Sequence, residues 1–142
     1  MVNTPGIKTE IEPAVRDWLK QEFGDVTFEE RQVKFPSGGA YLFDAVSQDG
    51  RIVAAVMCNR ANRGTKTENA AGLKKAFTAL EQLKKLGRDT VKMVVFTDQD
   101  LLNLVQRRAS RLGIGGIKLL VCPLPPDKKE LLDQIMDAAS RE

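Results

Sequence analysis

The chain has 142 residues, of which 42% are hydrophobic and 29% charged, and its formal net charge is +3. This composition predicts one domain, residues 1–142, that buries its apolar surface without cross-links. Histidine is absent, which excludes imidazole-based catalytic triads and histidine metal sites. Any catalysis would therefore depend on carboxylates, lysines or a metal ion with oxygen ligands, such as Mg²⁺.

The apolar runs VKMVVF and IKLLVC are too short to cross a bilayer, and the first residues, MVNTPGIKTE, lack the layout of a signal peptide. We therefore expect a cytoplasmic protein without a membrane partner. The mild positive charge permits a nucleic-acid partner but does not require one.

Periodicity in the first third of the chain predicts a helix and then a strand. The helix begins at Thr9, which has capping-box spacing to Glu12, and ends at Gly24. In the strand VTFEERQVKF the apolar phase slips between Phe28 and Val33, so we expect a β-bulge or two short pieces. Residues 1–8 and 140–142 are candidates for flexible ends.

Residues 41–60, YLFDAVSQDGRIVAAVMCNR, have the pattern of a β-hairpin. If Asp49 and Gly50 are the central residues of a type I′ turn, Asp44 lies opposite Ala55. The other residues expected on that face are apolar: Leu42, Val46, Val53 and Met57. A carboxylate in such surroundings needs a partner.

The second half alternates helices with apolar strands. We predict a long helix opened by Thr65, the strand VKMVVF, a helix capped by Thr97, the strand IKLLVC and a last helix from Asp127. The full order, α-β-β-β-α-β-α-β-α, predicts a three-layer α/β/α fold with a central mixed sheet.

This order of elements, with Asp44 in the second strand, resembles the core of the restriction-endonuclease-like, or PD-(D/E)XK, nuclease superfamily over residues 9–97. The resemblance implies that Asp44 matches the aspartate of the motif, which holds a divalent metal ion. Glu12 or Glu10 would match an acid that the family often carries on the first helix.

The third strand departs from the family, because Ala55 and Met57 occupy the places where the motif has glutamate and lysine. We therefore expect a nuclease-like fold with a decayed catalytic site, acting as a non-catalytic binding or assembly module without a cofactor. In that case Asp44 would pair with a cation such as Lys74 or Lys75.

Two other functions stay open. The first is an active Mg²⁺-dependent nuclease with a displaced site, built from Glu12, Asp44 as metal ligand, and Lys74 or Lys75. The second is a structural homo-oligomer, such as a homodimer, that has no nucleic-acid role.

Three basic residues are candidates for nucleic-acid binding: Arg60, Arg63 and Lys66. They lie in the loop before a predicted helix N-terminus, where backbone amides and the helix dipole also favour anions.

Overall fold

The computed structural model describes residues 6–63, 67–111, 113 and 115–140. For residues 62, 63, 67, 68, 139 and 140 it describes the backbone alone. The predicted helix start at Thr65 and the basic candidate Lys66 lie outside the described residues, as do the side chain of Arg63 and the chain ends at 1–5 and 141–142.

The main elements follow the predicted order. The helices are α1 (Glu12–Glu22), preceded by a π-helical turn (Ile7–Ile11), α2 (Ala70–Lys84), α3 (Gln99–Ala109) and α4 (Pro126–Ser140). The strands are β1 (Phe28–Lys34), β2 (Ala40–Ser47), β3 (Ile52–Met57), β4 (Asn62–Arg63), β5 (Thr67–Glu68), β6 (Val91–Phe96) and β7 (Ile117–Val121). The short ribbon of β4 and β5 was not predicted.

The remaining five strands form one mixed sheet in the order β1-β2-β3-β6-β7. β1, β2 and β3 are antiparallel neighbours, whereas β3, β6 and β7 run parallel. β6 lies between two parallel neighbours and its last four residues are buried, which explains why residues 93–96 are all apolar.

Helices cover both faces of this sheet. On one face, Phe43, Val53 and Phe96 pack in a core with residues of α2 and α3. On the other face, Ala54 and Val95 pack with residues of α1 and α4. The predicted three-layer α/β/α fold is therefore confirmed. Within the described part of the chain, no helix has both the length and the apolar character that crossing a membrane requires.

The start of α2 differs from the prediction. α2 begins at Ala70, because the Asn69 side chain accepts a hydrogen bond from the Gly72 N–H at 3.0 Å. Gly72 suits this position because a Cβ there would lie 2.9 Å from the Asn69 amide nitrogen. The Asn69 side chain also donates to the Arg60 carbonyl at 3.1 Å, so one residue fixes both the helix and the loop before it.

The next two helix starts also differ. α3 is capped by Asp98, which accepts from the Leu101 N–H at 3.0 Å, and not by Thr97. α4 begins at Pro126, one residue before the predicted Asp127. Proline is favoured in the first helical turn because its fixed φ suits a helix and its missing N–H would have no partner there.

Asn69→Ala removes both contacts of this cap. We expect the free energy of unfolding to fall by about 1–2 kcal/mol, the usual cost of losing an N-cap side chain. Urea denaturation measures this loss. Glu81→Ala, an exposed position on the same helix, is the matched control, with an expected change within about 0.5 kcal/mol. Equal effects of the two substitutions would contradict the role of Asn69.

Candidate metal centre

The hairpin of β2 and β3 has the predicted register but a different turn. The paired residues are Ala45–Ala54 and Val46–Val53. A type I′ turn needs positive φ at two central residues, whereas Gly50 alone has it here, at +75°. The Gly50 N–H donates to the Ser47 carbonyl at 2.9 Å, and the Ser47 hydroxyl contacts the Asp49 carboxylate at 2.7 Å.

A β-bulge lies between β1 and β2, but the extra residue is in β2 and not in the strand whose pattern predicted a bulge. The pairs on either side of it are Glu29–Val46 and Arg31–Phe43. Glu30 alone therefore lies opposite two residues of β2, Asp44 and Ala45. The Glu30 and Asp44 side chains are thus neighbours across the two strands.

The predicted shared face is confirmed in part. Four of its residues lie in one core, as predicted: Val46, Val53, Ala55 and Met57. The prediction is wrong for Leu42, because the extra residue changes the alternation along β2. Phe43 enters the core that contains Ala55 and Met57, whereas Leu42 is 53% exposed. Asp44 turns its carboxylate to the neighbouring strand, where Oδ2 accepts the Val56 N–H at 2.7 Å.

Three carboxylates converge at this point of the sheet. One oxygen each from Glu12, Glu30 and Asp44 lies within 4.8 Å of the others. They come from three elements, α1, β1 and β2, so the tertiary fold assembles the cluster. The sequence analysis included Glu12 and Asp44 but missed Glu30.

Glu12 reaches the cluster because it does not cap its own helix. The helical segment begins at Ile7, before Thr9, so the predicted capping box is wrong. The Glu12 side chain is only 8% exposed, and its buried Oε1 has no hydrogen-bond partner among the residues that the structure describes. The nearest cations are Lys8 Nζ at 3.3 Å and Arg16 Nη1 at 3.9 Å.

Lys8 is the cation in closest contact with the cluster. Its Nζ lies 2.8 Å from Glu30 Oε2, 3.3 Å from Glu12 Oε1 and 4.0 Å from Asp44 Oδ1. Lys8 belongs to the stretch predicted to be flexible, but it lies in the π-helical turn.

Burial and mutual repulsion oppose ionisation of the two inner acids. Burial is the main cause that raises the pKa of Glu12, and the charge of Asp44 adds to it. Burial likewise raises the pKa of Asp44, although the Val56 N–H and the charges of Lys8 and Lys75 oppose the rise. The hydrogen bond to Glu30 raises the pKa of Lys8, which favours its charged form.

Two of the three carboxylates lie at a cleft of about 440 Å³ between the sheet and α2. Glu12 and Asp44 line it together with Lys74 and Lys75, the lysines named in the displaced-site alternative. Ala55 and Met57 line it as well. Among the lysines of α2, Lys75 is the one whose charge lowers the pKa of Asp44.

Two other predicted residues have partners elsewhere. Arg60 donates to Asp137 at 2.8 Å and to Asp133 at 3.1 Å, and it lines a separate crevice. Glu10 accepts from Lys128 at 2.6 Å. Arg60 and Glu10 therefore each link the first part of the chain to α4.

The donor set of the cluster suits a hard divalent cation. Mg²⁺ and Mn²⁺ bind carboxylate oxygens and retain several water ligands. The buried Oε1 of Glu12, which has an ion pair with Lys8 but no hydrogen bond within the described part of the chain, provides a ligand atom inside the cluster. Glu30 and Asp44 add charge beside it. The residues present therefore fit such an ion.

Comparisons of the chain with models of protein families, with curated proteins and with solved structures gave no match. The relationship to the restriction-endonuclease-like nucleases thus stays a prediction.

Glu12→Gln should stabilise the protein at pH 7. Because the pKa of Glu12 is raised in the native state, its ionisation costs more free energy there than in the unfolded state. Ionised Glu12 therefore lowers the free energy of unfolding as pH rises through the native pKa. The variant should therefore melt above the native protein at pH 7, and the difference should disappear below about pH 4, where glutamate is protonated in both states.

Thermal denaturation across this pH range tests the prediction. Glu22→Gln, an exposed acid on α1, is the control and should change stability by less than about 0.5 kcal/mol at any pH. A lower melting temperature of Glu12→Gln at pH 7 would contradict the account, because the pairing with Lys8 and Arg16 would then outweigh the cost of burial.

Proposed function

We propose that this protein is a divalent-metal-dependent phosphodiesterase that acts on a nucleic-acid backbone. The observation that carries the proposal is the convergence of three carboxylates, from Glu12, Glu30 and Asp44. Glu12 and Asp44 line a cleft that Lys74 and Lys75 also line. Carboxylates that share a metal ion, with an ammonium group nearby, are the set of groups that hydrolysis of a phosphate ester needs.

Glu12, Glu30 and Asp44 would hold the metal ion. When bound, the ion supplies positive charge that neutralises and polarises a phosphate oxygen. In this arrangement Glu30 would replace the acid that the PD-(D/E)XK nucleases carry on their third strand. This chain has Ala55 at that place.

The chain's own groups have separate tasks. Lys75 donates to the phosphate oxygens and stabilises the negative charge that develops on them. Glu30 has the most exposed side chain of the three acids, at 37%, so an incoming water reaches it first. It accepts that water's proton as the oxygen attacks phosphorus, the opposite P–O bond breaks, and the leaving oxygen takes a proton from solvent.

The second candidate function is a non-catalytic binding or assembly module. It is favoured by Lys8, which supplies the cluster with positive charge, and by the apolar Ala55 and Met57 in the cleft. In this case the acids would be a structural ion-pair cluster.

The purified protein should cleave DNA or RNA in the presence of Mg²⁺ or Mn²⁺, and Asp44→Asn should lower the rate by more than about 100-fold. Loss of an outer-shell partner already costs about 10–100-fold, so loss of a metal ligand should cost more. A gel assay on single-stranded and double-stranded substrates of both kinds measures this activity.

Glu29→Gln is the matched control, because Glu29 is an exposed acid adjacent to Glu30 on β1 and lies outside the cluster. It should leave the rate unchanged. Absence of metal-dependent cleavage on all four substrates would contradict the proposal and favour the non-catalytic module.

The two lysines of α2 should differ. Lys75→Met should lower the cleavage rate by about 10²–10³-fold, the usual effect of removing a donor to a developing oxyanion, whereas Lys74→Met should have a small effect. In Michaelis–Menten kinetics, the lower cleavage rate of Lys75→Met should result more from a decrease in kcat than from an increase in KM. Equal effects of the two substitutions would contradict the assignment of Lys75.

A further inference from the structure

The Lys8 ammonium group lies in the space that a cation bound by the three carboxylates would need. It is within 4.0 Å of an oxygen of each acid and closest to Glu30, at 2.8 Å. Mg²⁺ binds carboxylate oxygens at about 2.0–2.1 Å and demands near-octahedral geometry. A metal ion and this ammonium group therefore compete for the same oxygens.

The backbone of Lys8 is fixed, whereas its side chain has room to move. Glu12 N–H donates to the Ile7 carbonyl, which closes the π-helical turn, and Ile11 in the same turn is fully buried. The Lys8 side chain, in contrast, is 52% exposed. Its ammonium group can leave the carboxylates by side-chain rotation, without unpacking the helix.

We propose that Lys8 is a tethered cation that competes with a divalent metal ion for Glu12, Glu30 and Asp44, so that metal loading requires the ammonium group to swing out. This inference rests on the proposed function, because it takes the cluster to be a metal site. It adds a regulatory element, since the chain's own lysine sets how much free metal ion is needed to load the site.

Electrostatics gives the reason for such a competitor. Without a cation, three carboxylates within 4.8 Å of one another repel, and Glu12 is largely buried. Lys8 stabilises the metal-free protein by placing one positive charge among them. The same positive charge repels an incoming divalent ion until the Lys8 ammonium group has moved away.

The test is Mn²⁺ binding to the full chain, measured by isothermal titration calorimetry and by the electron paramagnetic resonance signal of free Mn²⁺. Lys8→Met keeps an apolar stem of similar length but removes the charge. It should lower the Kd for Mn²⁺ by about tenfold or more. Lys20→Met, which alters an exposed lysine on α1, is the control and should bind as the native protein does.

A thermal-shift measurement supplies a second readout. Without metal, Lys8→Met should melt below the native protein, and saturating Mn²⁺ should raise its melting temperature by more than that of the native protein. Lys8→Arg, which keeps the charge, should not bind Mn²⁺ more tightly than the native protein. If Lys8→Arg bound Mn²⁺ as tightly as Lys8→Met, and both bound it more tightly than the native protein, the proposed competition by the Lys8 charge would be overturned.

The remaining outcomes separate this inference from the proposed function. If the native protein binds Mn²⁺ and Lys8→Met binds it equally or more weakly, the inference fails and the metal site stands. If only Lys8→Met binds Mn²⁺, the inference stands and the native site is filled by its own lysine. If neither binds, both the inference and the proposed function are overturned.

Discussion

The pairing of β1 with β2 is the constraint on which the candidate site depends. At the bulge, Glu30 lies opposite both Asp44 and Ala45, so the side chains of Glu30 and Asp44 are neighbours across the two strands. The Asp44 carboxylate accepts a hydrogen bond from the Val56 N–H, so a charged side chain takes over a contact that a backbone carbonyl makes elsewhere in a sheet.

The convergence of three carboxylates lowers the stability of the native state through burial and charge repulsion, which selection for stability alone would not favour. Burial raises the pKa of both Glu12 and Asp44, and each lies near another acid. Lys8 and Arg16 reduce this cost, because both form ion pairs with the buried Oε1 of Glu12. Like-charged, partly desolvated groups that converge at a cleft are more typical of functional sites than of structural ion pairs. The metal-binding interpretation explains why three acids converge at this point.

The sequence predicted the layers of the fold and part of the site. Apolar periodicity was sufficient for the element order, and the register of β2 and β3 followed from hairpin symmetry although the turn is of another type. The phase slip between Phe28 and Val33 led to the expectation of a bulge in their own strand, but Phe28 packs in the core with α1 and Val33 against the core with α2, as regular alternation allows. The extra residue lies in β2 instead, and Glu30 was missed because the pattern of β1 does not mark it. Lys8 was missed because a polar stretch near the start of a chain resembles a flexible end, and the π-helical turn that holds it depends on the burial of Ile11.

The most direct test of the metal-site interpretation is a crystal structure of the protein soaked in Mn²⁺, with anomalous scattering used to locate the ion. If the acids hold a metal ion, an anomalous peak will lie at coordination distance from the carboxylate oxygens of Glu12, Glu30 and Asp44, with the Lys8 ammonium group displaced from its contact with Glu30. Ordered carboxylates that still contact Lys8, with no peak between them at saturating Mn²⁺, would contradict the metal-site interpretation.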